Sequence, residues 1–110
     1  MKYLLLIHPN RSRLSRLSCA EQDQLVHEYA RVAATPGVSD YQLLRAADTA
    51  TTVCVQDGET KVLDQPVGDP ENSVAGYIVY QADDLDAALD FAAQVPAARM
   101  GGAVEVRPII

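Results

Sequence analysis

The chain of 110 residues fits one domain, residues 1–110, and is long enough to build a core without disulfide or metal staples. Hydrophobic residues make up 48% of it, with no low-complexity tract, which argues against disorder. Nine basic residues against fifteen acidic ones give a net charge of −6, the wrong sign for a nucleic-acid partner. The one basic cluster, Arg11, Arg13 and Arg16, lacks aromatic neighbours for base stacking and reads as a solvated loop beside a helix.

The first predicted element is a strand from Lys2 to His8, closed by Pro9-Asn10. Tyr3/Leu5/Ile7 and Leu4/Leu6 are both apolar sets, so the strand belongs in the middle of a sheet covered on both faces. A polar loop is expected from Arg11 to Leu17. Ser18-Cys19-Ala20-Glu21 then fits a capping box, opening a helix with Leu25, Val26, Tyr29, Val32 and Ala33 on one stripe. Thr35-Pro36-Gly37 stops that helix, and Val38 to Leu44 reads as a strand.

Residues Thr51 to Leu63 read as a hairpin, with β-branched residues on its first arm and the turn signal Asp57-Gly58. The stretch from Leu63 to Tyr77, with Pro66, Pro70 and the acidic Asp64, Asp69 and Glu71, reads as the rim of a pocket. Val74 to Tyr80 is the next strand, and Ala75-Gly76 at its start signals close backbone approach. Asp83 is the expected N-cap of a second helix carrying Leu85, Ala88, Leu89 and Ala92, with Pro96 beyond its end. Gly101-Gly102 leads into a last strand from Ala103 to Arg107.

The order β-α-β, hairpin, β-α-β is an α+β, ferredoxin-like split βαβ plan with an inserted β-hairpin. Right-handed crossovers put both helices on one face of the sheet. The central strands are apolar on the other face too, so a second copy packed sheet to sheet is the expected cover, giving a homodimer.

Cys19 and Cys54 lie in different elements without metal-ligand spacing, so neither a disulfide framework nor a zinc site is expected. The opening apolar run is too short for a signal-peptide core, and nothing reads as a membrane span. The expected location is cytoplasmic. No phosphate-binding glycine loop, nucleophile elbow or dinucleotide fingerprint occurs, so no cofactor is expected and no metal.

Several stretches together resemble the YCII-related domain family, in its branch named for an Asp-Gly-Pro-Phe (DGPF) motif. They are the opening Lys2-Tyr-Leu-Leu-Leu-Ile7, Thr49-Ala-Thr-Thr-Val53, Asp57-Gly58, Gly76-Tyr77, Ala82-Asp-Asp-Leu-Asp-Ala-Ala-Leu89, Pro96-Ala-Ala-Arg99 and Val104-Glu-Val-Arg-Pro108. The resemblance covers nearly the whole chain and implies a dimeric α+β barrel. At the namesake position the chain reads Asp64-Gln65-Pro66-Val67, which keeps the Asp and Pro and loses the Gly and Phe. Some members of the wider family carry a helix histidine paired with an acidic residue, and by that resemblance His27 and Asp40 form a candidate pair. Read from position alone, His27 lies off the core stripe and faces water.

Imidazole is the side chain suited to proton transfer near neutral pH. His8, at the end of a central strand, is either a group at a pocket mouth or a solvent-facing strand end. Glu105 and Arg107 share one face of the last strand, away from Val104 and Val106, where they form either a ligand contact or an interfacial ion pair. Tyr3 and Tyr77 are expected to line the same cavity. His8, Asp64 and Arg107 are thus the candidate catalytic set, with Tyr3, Tyr77, Glu105, His27 and Asp40 as candidate substrate contacts. The reading that results is a small-molecule-binding homodimer of unestablished activity. The alternative is a cofactor-free acid–base enzyme of lyase, isomerase or cyclase type acting on a small cyclic or aromatic metabolite.

Overall fold

A strand that is apolar on both faces needs neighbours on both sides, and β1 (Lys2–His8) has them. In the computed structural model, which describes residues 1–110, β1 pairs antiparallel with β5 (Gly76–Gln81) and with β6 (Ala103–Pro108). With β2 (Val38–Leu43) beside β5, the sheet order is β2-β5-β1-β6. This is the split βαβ arrangement expected from the element order.

Register sorts the side chains. Leu5 lies opposite Ile78 and Val106, and Ile7 lies opposite Val104. These residues share the face covered by α2 (Cys19–Ala33) and α3 (Leu85–Ala92). Tyr29 of α2 stacks on Tyr41 with centroids 6.3 Å apart, and Phe91 of α3 stacks on Tyr80 at 4.0 Å. Both helices therefore cover one face, and the buried core lies between them and the sheet. The other face carries Leu4, Leu6, His8, Tyr77, Val79, Glu105 and Arg107, and no buried side chain of the core belongs to it.

The Ser18–Glu21 capping box forms in both directions, and the two hydrogen bonds with Ser18 hold the Glu21 carboxyl below its usual pKa. Three local expectations change. Arg11–Leu14, expected as loop, is a short helix α1, because the Asn10 side chain accepts from the Arg13 N–H at 3.1 Å and caps it. Asp84, not Asp83, caps α3 by accepting from the Ala87 N–H at 2.9 Å. Pro96 does more than follow the helix: it opens α4 (Pro96–Arg99) from the first turn, where its missing N–H is harmless.

Two glycines allow the sheet to close at one end. A Cβ on Gly76 would sit 2.6 Å from the Gln42 carbonyl oxygen, and a Cβ on Gly102 would collide with the His8 carbonyl. Gly102 thereby lets the start of β6 press against the end of β1.

Between β2 and β5 the chain leaves the sheet at this same end. Leu44 N–H donates to Ala75 O at 2.7 Å, and Ala75 N–H donates to Ile7 O at 2.8 Å. The excursion holds β3 (Thr52–Gln56) and β4 (Glu59–Leu63), which pair with each other and with no other strand. Asp57 and Gly58 both have positive φ, 54° and 79°, as a type I′ turn requires. Val53, Val55 and Val62 line one face of this arm and are 61%, 67% and 60% exposed.

Candidate functional site

A short turn of the rim helps to build the site at the closed end of the sheet. Asp69 caps the 3-10 turn Pro70–Asn72: one carboxylate oxygen accepts from the Glu71 N–H at 3.0 Å and the other from the Asn72 side chain at 3.3 Å. The turn so fixed aims the Asn72 carbonyl at His8, whose Nδ1 lies 3.1 Å away. A carbonyl oxygen only accepts, so Nδ1 carries the proton and Nε2 of the neutral ring carries the lone pair. That Nε2 is shielded from solvent without a hydrogen-bond partner, and Glu105 Oε1 stands 3.8 Å from it. The carboxylate does not bond the neutral ring at that distance.

Glu105 in turn binds Arg107 Nε, so His8, Glu105 and Arg107 form a row along the uncovered face. A cleft of about 580 Å³ opens beside His8, lined also by Asn10, Arg11, Glu71, Asn72 and Gly102. That volume falls within the range of small-molecule sites. The stretch from Leu63 to Tyr77 thus contributes a rim, through Glu71 and Asn72, and its Asp69 acts as a brace.

The remaining candidates disperse. Asp64 is exposed after β4 and does not line the cleft. Tyr3 is buried under the helices, 3% exposed, on the face opposite Tyr77, because an odd residue of β1 pairs with an even residue of β5. The two tyrosines therefore do not line one cavity. His27 is exposed on α2, on the helix side of the sheet, whereas Asp40 lies on the other side and accepts the Tyr77 hydroxyl at 2.9 Å. The His27–Asp40 pair does not form within the chain. That same bond from Tyr77 to Asp40 raises the Tyr77 pKa, since the carboxylate stabilises the protonated phenol. Burial, with the Tyr29 hydroxyl alongside, pushes Tyr41 up to about 12, and burial raises Tyr29 as well.

A family model described as the YCII-related domain matches residues 1–110. The chain belongs to the YCII-related domain family. Among solved structures it is similar to 5-chloro-2-hydroxyhydroquinone dehydrochlorinase from Burkholderia phenoliruptrix AC1100, in a complex with 2,5-dihydroxybenzoquinone. The two superpose with a TM-score of 0.52 over 100% of this chain and 94% of that one, at 13% identity. A likeness at that identity concerns the fold. No curated protein matches the sequence.

Within this YCII-related chain, sequence reasoning missed Arg11, Asn72 and Ser73. Arg11 Nη2 donates to Ser73 Oγ at 2.8 Å, and Ser73 Oγ donates to the Pro70 carbonyl at 2.9 Å, so the turn pins the arginine as well as the histidine. The available signals were Asn10, a good N-cap ahead of Arg11, and Asp69-Pro70, a cap followed by a first-turn proline. No group of three His, Cys, Asp or Glu side chains comes together to hold a metal, and no helix is long and apolar enough to cross a membrane.

Proposed function

We propose that this YCII-related chain works as a homodimer that binds a small molecule beside His8. The observation that carries the binding site is the imidazole itself: Nδ1 is pinned by Asn72, and Nε2 is left without a partner beside a cleft of ligand size. The dimer is supported by surface area. A compact monomer of this mass exposes roughly 5,900 Å², whereas the chain exposes 7434 Å². Its radius of gyration is 15.7 Å against about 13 Å expected for its length. The excess, about 1,500 Å² per chain, would make a two-fold interface of ordinary homodimer size. The uncovered sheet face and the arm are the surfaces available to supply it, as a dimeric α+β barrel with the inserted hairpin reaching onto the partner. Two free, exposed cysteines, Cys19 and Cys54, suit a reducing cytoplasmic compartment. Asp64 and Pro66 support placement near the DGPF branch, with its motif degenerate.

The fixed tautomer favours a second reading, a cofactor-free acid–base enzyme. Nε2 has the lone pair a general base needs, with the Glu105 carboxylate 3.8 Å from it. The similar dehydrochlorinase structure holds a dihydroxybenzoquinone, which makes cyclic hydroxylated compounds the first class to screen.

One experiment separates the two readings. Cyclic and aromatic fragments are titrated into the ¹⁵N-labelled protein, and each binder is then incubated with it in D₂O while carbon-bound protons are followed by NMR. Binding that moves the Gly101, Gly102 and His8 signals and is lost in His8→Ala supports the site. Deuterium incorporation that needs His8 supports the enzyme. Binding without exchange leaves a binding module, and an unperturbed cleft with every fragment contradicts both.

A further inference from the structure

The charges around the cleft do not balance. The ion pairs of the chain are Arg99 with Glu28 and Arg107 with Glu105. Arg11, half-buried on the cleft wall, has no carboxylate partner. Its protein contact is the neutral Ser73 hydroxyl at 2.8 Å, and its Nε is shielded from solvent with no acceptor. A partly buried guanidinium without a counter-ion is unfavourable, because desolvation weakens its hydration and nothing replaces it. His8, whose Nε2 is the second unpartnered nitrogen, lines the same cleft.

From this we infer that the cleft takes a small molecule through a carboxylate, with Arg11 as its anchor. The inference rests on the proposed His8 site and adds the chemical class of its ligand. A planar guanidinium matches a planar carboxylate, and Ser73 holds it in place before the ligand arrives, so little side-chain entropy is lost on binding. Arg107, the arginine that sequence position favours for this task, is already neutralised by Glu105 and stays 69% exposed. Glu71, which also lines the cleft, makes no ion pair with Arg11 and would repel a second negative charge. The ligand is therefore a monocarboxylate.

The test uses benzoate against its neutral counterpart benzamide, on the ¹⁵N-labelled full chain. Benzoate should shift the Arg11 Nε–H resonance and the Gly102 amide in a saturable way. Benzamide should bind at least about tenfold more weakly, as loss of a charge-assisted bidentate contact requires. Arg11→Gln should weaken benzoate by a similar factor and leave benzamide unchanged. Ser73→Ala, which keeps the charge and frees the side chain, should weaken benzoate by a smaller factor. Equal affinity for the two probes, or an Arg11 Nε–H signal unmoved by benzoate at tens of millimolar, overturns the inference. In that case neutral fragments that still shift Gly101 and His8 leave the proposed site standing. Silence from charged and neutral fragments alike removes both.

Discussion

Along β1, Tyr3, Leu5 and Ile7 are at most 3% exposed, while Leu4, Leu6 and His8 between them remain half-buried. The two sets sit on one backbone and differ in what lies over them. α2 and α3 cover the first; no helix covers the second, and only the Asn72 turn reaches its His8 end. The hairpin arm extends the contrast, since its three valines are more exposed than any residue of the sheet core and an isolated two-stranded hairpin is marginal in water. Apolar residues on an uncovered face and an unsupported arm are the surfaces on which the proposed homodimer rests. The polar row His8–Glu105–Arg107 lies on that face.

The contrast can be broken by mutation. Leu5→Ala, at a fully buried position in the helix-covered core, should cost about 2–5 kcal/mol in chemical denaturation, the range for a large-to-small change that leaves a cavity. Arm substitutions should behave differently. Val53→Ser with Val62→Ser removes an apolar pair from the arm's exposed face, and should weaken self-association more than tenfold by sedimentation, roughly the loss expected for two buried aliphatic side chains. The stability of the dilute, dissociated chain should barely change. If instead the arm variant unfolds as readily as Leu5→Ala, the arm belongs to the core of its own chain and the comparison fails.

A smaller effect sharpens the helix-covered side alone. Burial holds the folded-state pKa of Tyr41 near 12, against 10 for the free side chain. The unfolded chain therefore loses this proton first. Stability from the protonated phenol is fully present below pH 10 and falls as pH rises from 10 toward 12. Thermal melts across that window should show the decline, and Tyr41→Phe should flatten it. An unchanged slope in the variant would place Tyr41 in water, in conflict with its stack on Tyr29.

Most of the architecture was legible because it rests on short-range patterns. The two apolar sets of β1 announced a central strand, the Ser18–Glu21 spacing announced α2, and Asp57-Gly58 announced the turn of the arm. The alternation in Val104-Glu105-Val106-Arg107 also gave the correct faces of β6. The site was less legible, since it depends on register and on loop geometry. Tyr3 and Tyr77 look equivalent until pairing across β1 and β5 puts them on opposite faces. His27 and Asp40 look adjacent until the sheet comes between them. Arg11 resembles any solvated arginine until Ser73, 62 positions away, reaches it. Nothing local in the sequence reports a contact of that separation.

The most direct test of a homodimer with its site beside His8 is a crystal structure of the untagged protein, read at one place. The account predicts a second copy over the Leu4, Leu6 and Val79 face, with the arm engaged and the cleft beside His8 Nε2 left open. A face bare to solvent, or a cleft filled by the partner's side chains, would contradict it.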